Sequence, residues 1–421
     1  MPRGAIIHRS GPIGEKSAFP PEKLPRFHYG QKFPLLSGDG RRSAIKIPIA
    51  GIGKTQRFIR EVFLLKQYDV IHFEALGAEA KHLEEKTATA IRAGELPEDF
   101  QSIITPDTVQ DYLAAHPGFV LPELITTKTH SVLPESYLKG SKKNIVTRSA
   151  GYDHFEQYAG LANITSLREY CVNAVAQTAV KLLYAAAGLL NHYRQNALTF
   201  ERNHSQSFME FTKGRTATVF GAGKIGKRIC ELLEGNGLNV QAVDIRQDEL
   251  QKTYQGSVRF VSREEAARSS DIAVCAMNLT RSPKSRYCNV GYFSEAYLAS
   301  FRKKFLFINV TRGEIAPESN LLEFYDKGKI TGIGIDVFSD EDGFQKALNG
   351  QAEWKGKDRI AAKKLVKSAV KGSANIYVQP HQAFNSDIAA ESKAENTIRH
   401  IAAWYRNGKT RFDEQLPYYQ E

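Results

Sequence analysis

The fold is decided by the stretch RTATVFGAGKIGKRICELLEGNGLNVQAVDIR, residues 215–246. A short apolar run with β-branched residues, Ala217–Phe220, predicts a buried strand. The pattern G-x-G-x-x-G follows it, and apolar residues then recur at helical spacing until Gly235. Val240–Val243 predicts a second strand, and Asp244 stands at its end. This order of strand, glycines, helix, strand and acid is typical of a nucleotide-binding unit in a doubly wound parallel sheet.

Each glycine of the pattern has a mechanical reason. Gly221 makes the tight turn out of the strand, Gly223 lets the backbone approach a pyrophosphate, and Gly226 lets helix and strand pack closely. The N-terminus of the helix offers N–H groups and a partial positive charge to the phosphates. A glycine-rich turn without a ligand is the alternative interpretation. We predict a bound dinucleotide, held by Gly221, Gly223, Lys224, Ile225 and Gly226.

The acid after the second strand bears on which dinucleotide binds. A carboxylate about 20 residues after the glycines binds both hydroxyls of a ribose and repels a 2′-phosphate. Asp244 stands at that position, which favours NAD over NADP. Arg246 lies two residues further on, and an arginine there can hold a 2′-phosphate. The sequence therefore leaves the strictness of the preference open.

Length and composition indicate a globular protein of two domains. A chain of 421 residues exceeds one ordinary hydrophobic core, and 42% of its residues are hydrophobic. The net charge of +11 suits anionic ligands such as dinucleotides and carboxylates. Because the basic residues are scattered and no aromatic-interleaved basic module is present, nucleic acid is not expected as a partner.

The cysteines and the apolar segments bear on the compartment. The chain has four cysteines, none in a C-x-x-C pair, which favours an intracellular location and implies no metal site. Its first residues contain no apolar signal core. The most apolar helix, near residues 174–190, includes Gln177 and Lys181 and is too short to cross a bilayer. We therefore expect a cytoplasmic protein without membrane contact.

Strands and helices alternate on both sides of the glycine-rich unit. Residues 1–42 predict an irregular arm. Strands are expected near residues 43–50, 68–76, 121–127, 144–148, 258–261, 272–276, 305–310 and 330–337. Helices are expected near residues 58–65, 78–93, 108–115, 174–190, 263–269, 294–301, 319–327 and 388–406. We expect a substrate domain in residues 1–165, completed by residues 385–421, and a dinucleotide-binding domain in residues 166–384.

A long basic stretch lies between Glu341 and His381, and it contains DRIAAKKLVKSAVKG at residues 358–372. Its apolar residues show a faint amphipathic pattern. A helix that binds a membrane surface or a calmodulin-like partner is one interpretation. An inserted surface loop or a solvated helix is the favoured one, because charge runs are usually solvated.

Three strand ends after the glycine-rich unit carry side chains that could perform chemistry. Arg312 follows one strand, Asp336 closes the next with Glu341 soon after, and His381 follows the last. Ligands of open α/β sheets bind at these carboxyl ends. An arginine can hold a carboxylate bidentately, and a histidine whose other ring nitrogen is bonded to a carboxylate can donate a proton near neutral pH. Each side chain also has a structural interpretation: an ion pair, a turn, a solvated acid or a packed histidine.

The chain resembles the D-isomer-specific 2-hydroxyacid dehydrogenases, and most closely their D-lactate dehydrogenase branch. Six segments carry the resemblance, in the family's order and spacing: RSAGYDH (148–154), YCVNAVAQTAV (170–180), GAGKIG (221–226) with Asp244, NVTRGE (309–314), GIGIDVFSDE (332–341) and PHQAF (380–384). The resemblance implies a Rossmann doubly wound parallel sheet for NAD, a flavodoxin-like α/β substrate domain and a homodimer.

The resemblance also implies roles for individual residues. Arg312 would bind the substrate carboxylate and polarise the 2-oxo oxygen, while His381 would donate the proton in reduction and Glu341 would hydrogen-bond to it. Cofactor contacts are implied for Val310 and Asp336. Further substrate contacts are implied for Tyr152 and Phe384, and for the backbone amides of a carboxylate-anchoring turn at Lys128 and Thr129.

We therefore expect an NAD-dependent oxidoreductase that interconverts a 2-oxo acid and a D-2-hydroxy acid. Two other functions stay open on the same fold. One is an NAD-sensing regulatory protein, like the C-terminal-binding corepressors that resemble this family, and the other is a phosphite-type oxidation. Glu341 argues against formate oxidation, because formate-oxidising enzymes that resemble this family place a glutamine beside the histidine. The sequence does not define the side chain of the oxo acid.

Overall fold

The computed structural model describes residues 68–203 and 206–418. The expected N-terminal arm, the strand near residues 43–50 and the helix near residues 58–65 lie outside the described residues. Among the described helices, none combines the length and the apolar character needed to cross a membrane.

The first of two parallel sheets has five strands in the order β2-β1-β3-β4-β5. Its strands are β1 (Val70–His72), β2 (Ser102–Ile104), β3 (Leu124–Thr127), β4 (Lys143–Thr147) and β5 (Ala162–Ser166). Helices α1 (Gly77–Arg92), α2 (Val109–Ala115) and α3 (Glu135–Leu138) lie between them. Because β3 and β5 are buried along their whole length, they read as continuous apolar and small polar runs rather than as alternating ones. This strand order is the flavodoxin-like one, as predicted.

The second sheet has six parallel strands in the order β11-β10-β9-β8-β6-β7. Its strands are β6 (Thr216–Phe220), β7 (Asn239–Val243), β8 (Ile272–Cys275), β9 (Phe305–Asn309), β10 (Ile330–Ile335) and β11 (Ile376–Val378). The glycine-rich unit supplies the neighbouring strands β6 and β7 and the helix between them, α6 (Lys224–Gly235). The predicted Rossmann doubly wound sheet is therefore present.

Nine further α-helices follow β5 within the described residues. They are α4 (Val172–Ala187), α5 (Leu190–Asn196), α7 (Gln247–Thr253), α8 (Arg263–Ser269), α9 (Glu295–Ser300), α10 (Glu318–Asp326), α11 (Glu341–Leu348), α12 (Lys357–Lys371) and α13 (Ala389–Arg406).

The strand expected at residues 258–261 is absent. Val258 and Val261 are buried, but the backbone of this segment meets β7 through a single bridge between Phe260 and Ala242. The apolar residues of this segment therefore indicated burial correctly, whereas the strand assignment was wrong because apolar character carries no information on backbone hydrogen bonds. The short strands β2 and β5 were not predicted.

The basic stretch after Glu341 is not an inserted surface loop. It forms α11 and α12, and α12 packs against α10. Ala361, Ala362 and Leu365 are the buried face of α12, and its lysines lie on the other faces. Of the two favoured possibilities, the surface loop was wrong and the solvated helix was correct, because a helix with many lysines needs only a narrow apolar face to pack.

The terminal helix α13 returns to the first sheet. Its Ile398 and Ile401 pack with Leu83 and Ala90 of α1 in one apolar cluster. Beyond the helix, the Leu416 N–H donates to the carbonyl oxygen of Ile164, 2.8 Å away in β5. The division of the chain into domains at residues 165 and 384 stays a prediction.

Candidate active site

A cleft of about 2600 Å³ lies at the carboxyl ends of the strands. Its walls include the glycine-rich turn after β6, the ends of β9, β10 and β11, and the loops after β3 and β4. Carboxyl strand ends are where open α/β sheets bind ligands, and this volume holds a dinucleotide and a small acid together. Arg312, Glu341 and His381 all line it, together with Gly221 and Asp244. The structure thus brings the predicted catalytic and cofactor residues to one place.

His381 and Glu341 form a hydrogen-bonded pair in this cleft. The Nδ1 atom of His381 lies 2.7 Å from Oε2 of Glu341, and the backbone N–H of Phe338 donates to Oε1 at 3.1 Å. Burial alone would raise the pKa of Glu341, but the hydrogen bond and charge of His381 hold it below its usual value. Glu341 is therefore ionised at neutral pH and orients the imidazole ring through Nδ1.

The loop that carries His381 is held by Asp336. The side chain of Asp336 is fully buried and accepts hydrogen bonds from Gln379 Nε2, from the Gln382 N–H and from the Ala383 N–H, at 3.1, 2.9 and 2.9 Å. Its carbonyl oxygen accepts from the His381 N–H at 2.7 Å. These bonds hold His381 at a φ of 53°, a conformation uncommon outside glycine and often found at functional sites. Contact of Asp336 with the cofactor stays a prediction.

Arg312 is paired with an acid that the sequence analysis did not single out. Its Nη2 donates to Oδ1 of Asp153 at 2.9 Å, and the other oxygen of Asp153 accepts from Arg281 at 2.7 Å. Burial would raise the pKa of Asp153, and the two guanidinium groups hold it below its usual value. Gly151 makes room for this arrangement, because a Cβ there would lie 2.1 Å from Nη2 of Arg312. The only sequence signal for Asp153 was its place in the RSAGYDH segment.

A second histidine of the cleft wall, His154, does not compete as a proton donor. Burial lowers the pKa of His154 to about 4. Its Nε2 lies 3.2 Å from the hydroxyl of Thr147. At neutral pH this ring is uncharged, so it has no proton to give to a developing alkoxide.

The turn at Lys128 and Thr129 lies beside the carboxylate of Glu74. The carboxylate of Glu74 accepts from the Lys128 N–H at 2.8 Å and from the hydroxyls of Thr127 and Ser131 at 2.7 Å each. These bonds outweigh burial and hold the pKa of Glu74 below its usual value. The chain's own acid therefore accepts from the Lys128 amide, and a substrate contact at Lys128 and Thr129 stays a prediction. Lys128 and Thr129 do line the cleft.

Two aromatic rings lie where substrate contacts were expected. Phe384 has its ring centroid 6.3 Å from that of His381. Tyr152 is buried and meets Tyr418 edge-on, with centroids 5.0 Å apart. Both residues line the cleft.

The glycine-rich turn has the shape that a pyrophosphate requires. Gly221 has a φ of +90°, and a Cβ there would lie 2.7 Å from the Met277 backbone. A Cβ on Gly226 would lie 1.8 Å from the Gly221 oxygen, whereas the space beside Gly223 is open. Helix α6 begins at Lys224 with no side-chain cap, so its first N–H groups point to that space.

The remaining predicted cofactor residues also line the cleft. Asp244 ends β7, and its two oxygens accept from the N–H groups of Ala222 and Arg246 at 2.8 Å each. A carboxylate accepts about four hydrogen bonds, so Asp244 keeps capacity for ribose hydroxyls. Ile225 and Val310 pack in the core beneath the turn, and the Lys224 ammonium pairs with Glu169. Within the described ranges, no group of three or more ligand-type side chains could hold a metal ion.

Residues 180–383 match the family model of the D-isomer specific 2-hydroxyacid dehydrogenase, NAD binding domain. Over this segment, a little under half of the chain, the protein is similar to that family. The matched segment contains the glycine-rich turn, Asp244 and the Arg312, Glu341 and His381 side chains, and it confirms NAD as the cofactor.

Similar proteins include D-lactate dehydrogenases. That of Streptococcus pyogenes serotype M1 is 26% identical over 282 residues, which cover 64% of this chain and 78% of that protein. Erythronate-4-phosphate dehydrogenase of Bacteroides thetaiotaomicron is 25% identical over 226 residues, covering 53% of this chain and 58% of that protein. The D-lactate dehydrogenase of Aquifex aeolicus, solved with NAD and lactic acid, shares the fold at a TM-score of 0.63 and 21% identity, covering 84% of this chain and 100% of that one.

Proposed function

We propose that this protein interconverts a 2-oxo acid and a D-2-hydroxy acid with NAD, and that His381 is its acid and base. The observation that carries the proposal is the 2.7 Å contact between His381 Nδ1 and Glu341 in the cleft that also holds Arg312. The family contains dehydrogenases of several 2-hydroxy acids, so the reaction class is supported more strongly than any one substrate.

His381 has the arrangement of a proton donor. Its Nδ1 is bonded to Glu341, which leaves Nε2 as the nitrogen that transfers a proton to and from the substrate oxygen. NADH, when bound, supplies the hydride. The ionised Glu341 stabilises the imidazolium form of His381, which is the form that can donate a proton as negative charge develops on the 2-oxo oxygen.

Arg312 has the geometry to bind the substrate carboxylate. Its guanidinium is about a quarter exposed to the cleft and makes one hydrogen bond to the Thr311 carbonyl and one ion pair to Asp153. A planar guanidinium offers five donors, so it binds a carboxylate and a carbonyl oxygen while Asp153 still holds its orientation. In the proposed complex, the 2-oxo group lies between Arg312 and His381.

We also propose a homodimer, the assembly expected for this family. Large apolar side chains with more than half of their surface exposed occur close together in the sequence, at Leu190, Leu198, Phe200 and Phe208. Exposed apolar surface of this kind often marks a protein interface. Sedimentation of the full chain at micromolar concentration should give a dimer, and a monomer would contradict the proposal.

Turnover tests the proposed reaction. The full chain with NADH and a panel of 2-oxo acids should consume NADH and release only the D-hydroxy acid. His381→Ala should lose turnover and still bind NADH, measured by fluorescence, whereas the control His82→Ala on α1 should behave as wild type. Binding of NADH without turnover of any acid by the wild type would instead favour the NAD-sensing alternative.

A further inference from the structure

Three basic side chains, Lys128, Arg148 and Lys393, gather around one carboxylate on the first-sheet side of the cleft. The Arg148 Nε donates to Glu79 Oε1 at 2.8 Å, and the Lys128 Nζ lies 2.7 Å from Oε2 of the same carboxylate. The Lys393 Nζ lies 3.8 Å from that oxygen. We call these three side chains the basic pocket.

The basic pocket faces the cleft, so its positive charge is available to a ligand there. All three basic side chains line the cleft wall, whereas Glu79 lies behind them and is not part of the wall. Arg148 is 1% exposed, and its other two donor groups are bonded to Thr126 and to the Phe73 carbonyl. The charges of Arg148 and Glu79 therefore neutralise each other, and the ammonium groups of Lys128 and Lys393 add further positive charge.

The second acid in this region, Glu74, cancels only part of that excess. Glu74 is ionised, and its hydrogen bonds go to the turn at Lys128. Three cations face two carboxylates, so this cluster keeps one positive charge. Burial lowers the pKa of Lys393, which shows that this ammonium is held where water stabilises it poorly. An anion in the cleft would supply the stabilisation that water does not.

The position of Lys393 relates the basic pocket to the catalytic residues. Its Nζ lies 5.1 Å from the ring centroid of Phe384 and 5.0 Å from that of Tyr170. The Phe384 ring in turn lies 6.3 Å from the ring of His381. A substrate whose 2-oxo group lies at His381 and Arg312 would therefore extend its side chain past Phe384 toward Lys393.

We propose that the substrate carries a second anionic group, a carboxylate or a phosphate at the far end of the 2-oxo acid, and that Lys393 and Lys128 bind it. This proposal rests on the proposed function. A substrate with a short apolar side chain leaves both ammonium groups facing the cleft without an added counter-charge, whereas a dianion pairs with them and with Arg312 at its two ends. The alternative is that the two lysines serve only to neutralise Glu79.

Pairs of 2-oxo acids that share a shape but differ in charge test whether the enzyme prefers a second anionic group. The full chain would be assayed with NADH and 2-oxoglutarate against 5-methyl-2-oxohexanoate, and with oxaloacetate against 4-methyl-2-oxopentanoate. Two methyl groups replace the two carboxylate oxygens in each pair. We expect kcat/KM to favour the dianion by at least about tenfold, the effect of one charge-assisted contact. 3-Phosphohydroxypyruvate, tested beside them, distinguishes a phosphate from a carboxylate.

Substitutions in the basic pocket test whether its lysines cause the preference for the dianion. Lys393→Met and Lys128→Met should each lower kcat/KM for the dianion much more than for its neutral partner, so that the preference is lost. Lys393→Arg should retain it. Lys409→Met, at the far end of α13, is the matched control and should resemble wild type. Use of two positions keeps the test valid if one variant fails to fold.

Calorimetry measures the equilibrium binding of 2-oxoglutarate and of 5-methyl-2-oxohexanoate independently of turnover. If the wild type reduces the neutral acids at least as well and Lys393→Met leaves the ratio unchanged, the second-anion proposal is overturned and the proposed function stands. If no acid is reduced but 2-oxoglutarate binds and both methionine variants abolish binding, the proposed function fails and the anion site stands. Absence of both binding and turnover overturns both.

Discussion

His381 is the residue on which the site depends, and its neighbours determine what it can do. Asp336 holds its backbone in the left-handed region, and Glu341 fixes its ring through Nδ1. Arg312 is fixed in the same way by Asp153 and the Thr311 carbonyl. Single substitutions at these positions therefore test geometry and charge separately.

Arg312→Lys keeps the positive charge and removes the planar fork. Lysine cannot bond Asp153, the Thr311 carbonyl and a substrate carboxylate together, so we expect kcat/KM to fall on the order of 100-fold, about 3 kcal/mol. Steady-state kinetics of 2-oxo acid reduction check this. Arg259→Lys, an exposed arginine paired with Glu265, is the control and should be unaffected. Unchanged kinetics in Arg312→Lys would mean that the carboxylate binds elsewhere.

Glu341→Gln should change the pH dependence of the reaction. The pKa of Glu341 lies below its usual value, so its negative charge is present throughout the neutral range and favours the protonated ring of His381. Glutamine keeps a hydrogen-bonding group beside Nδ1 but removes the charge that stabilises a positively charged ring. The decrease of kcat/KM for reduction at alkaline pH should therefore move to lower pH, while much of the activity remains at acidic pH. Oxidation needs the unprotonated ring, so its kcat/KM should instead increase with pH.

The measurement is kcat/KM against pH for wild type, Glu341→Gln and the control Glu353→Gln, whose side chain is three-quarters exposed. Superimposable profiles of wild type and Glu341→Gln would exclude any tuning of the acid by Glu341.

At the scale of elements, β6, α6 and β7 create the cofactor site by their connections. The glycines allow the turn, the uncapped helix offers its N–H groups, and Asp244 ends the neighbouring strand. Asp244 should exclude a 2′-phosphate by its charge and through lost ribose hydrogen bonds. We expect NADH to bind on the order of 100-fold more tightly than NADPH in fluorescence titrations. Equal affinities would show that Arg246 compensates for the acid.

Helix α10 contains a buried acid that should make stability depend on pH. Glu318 is 2% exposed, the Ser339 N–H donates to its Oε1 at 2.6 Å, and its Oε2 has no hydrogen-bond partner among the described residues. Burial raises the pKa of Glu318 to about 7. The folded protein therefore holds this proton up to about pH 7 while the unfolded chain releases it near the ordinary value of about 4.5, so stability decreases as pH rises through that window.

Glu318→Gln should remove this loss. Relative to wild type it should gain up to about 3 kcal/mol in the free energy of unfolding above pH 7, and little at about pH 4.5. Urea unfolding at the two pH values measures the difference. Glu323→Gln, on the exposed face of the same helix, is the control. A gain that is equal at both pH values would contradict the assignment.

At the scale of the whole molecule, ion pairs connect the two sheets across the cleft. Asp153 follows β4 of the first sheet, whereas Arg281 and Arg312 follow β8 and β9 of the second. Arg281 also pairs with Glu314 at 2.6 Å. The pairs orient Arg312 and join the two halves that form the cleft.

Asp153→Asn should therefore lower the melting temperature, because it leaves two arginines facing each other without their shared acid. Arg281 is half exposed, so its own contribution is small. The double variant Asp153→Asn, Arg281→Gln should lose less stability than the sum of the single losses, as a double-mutant cycle would show. Additive losses would mean that the cross-cleft pair carries no coupling.

The second sheet and the candidate catalytic side chains could be predicted from the sequence. The glycine pattern, Asp244 and the strand ends at Arg312, Asp336 and His381 are local features, because each depends on residues close in the chain. Local patterns also predicted most helices to within a few residues. The strand predicted at residues 258–261 was wrong, since apolar residues indicate burial and not strand pairing.

Only the tertiary structure decided which charges meet. Asp153 and Arg312 are 159 residues apart in sequence, and Lys393 reaches Glu79 only because α13 packs against α1. The Glu74 carboxylate likewise accepts a hydrogen bond from the amide of Lys128, 54 residues away, a contact that no local pattern predicted. Such contacts depend on how the sheets and the last helix pack together, and no spacing along the chain encodes those distances.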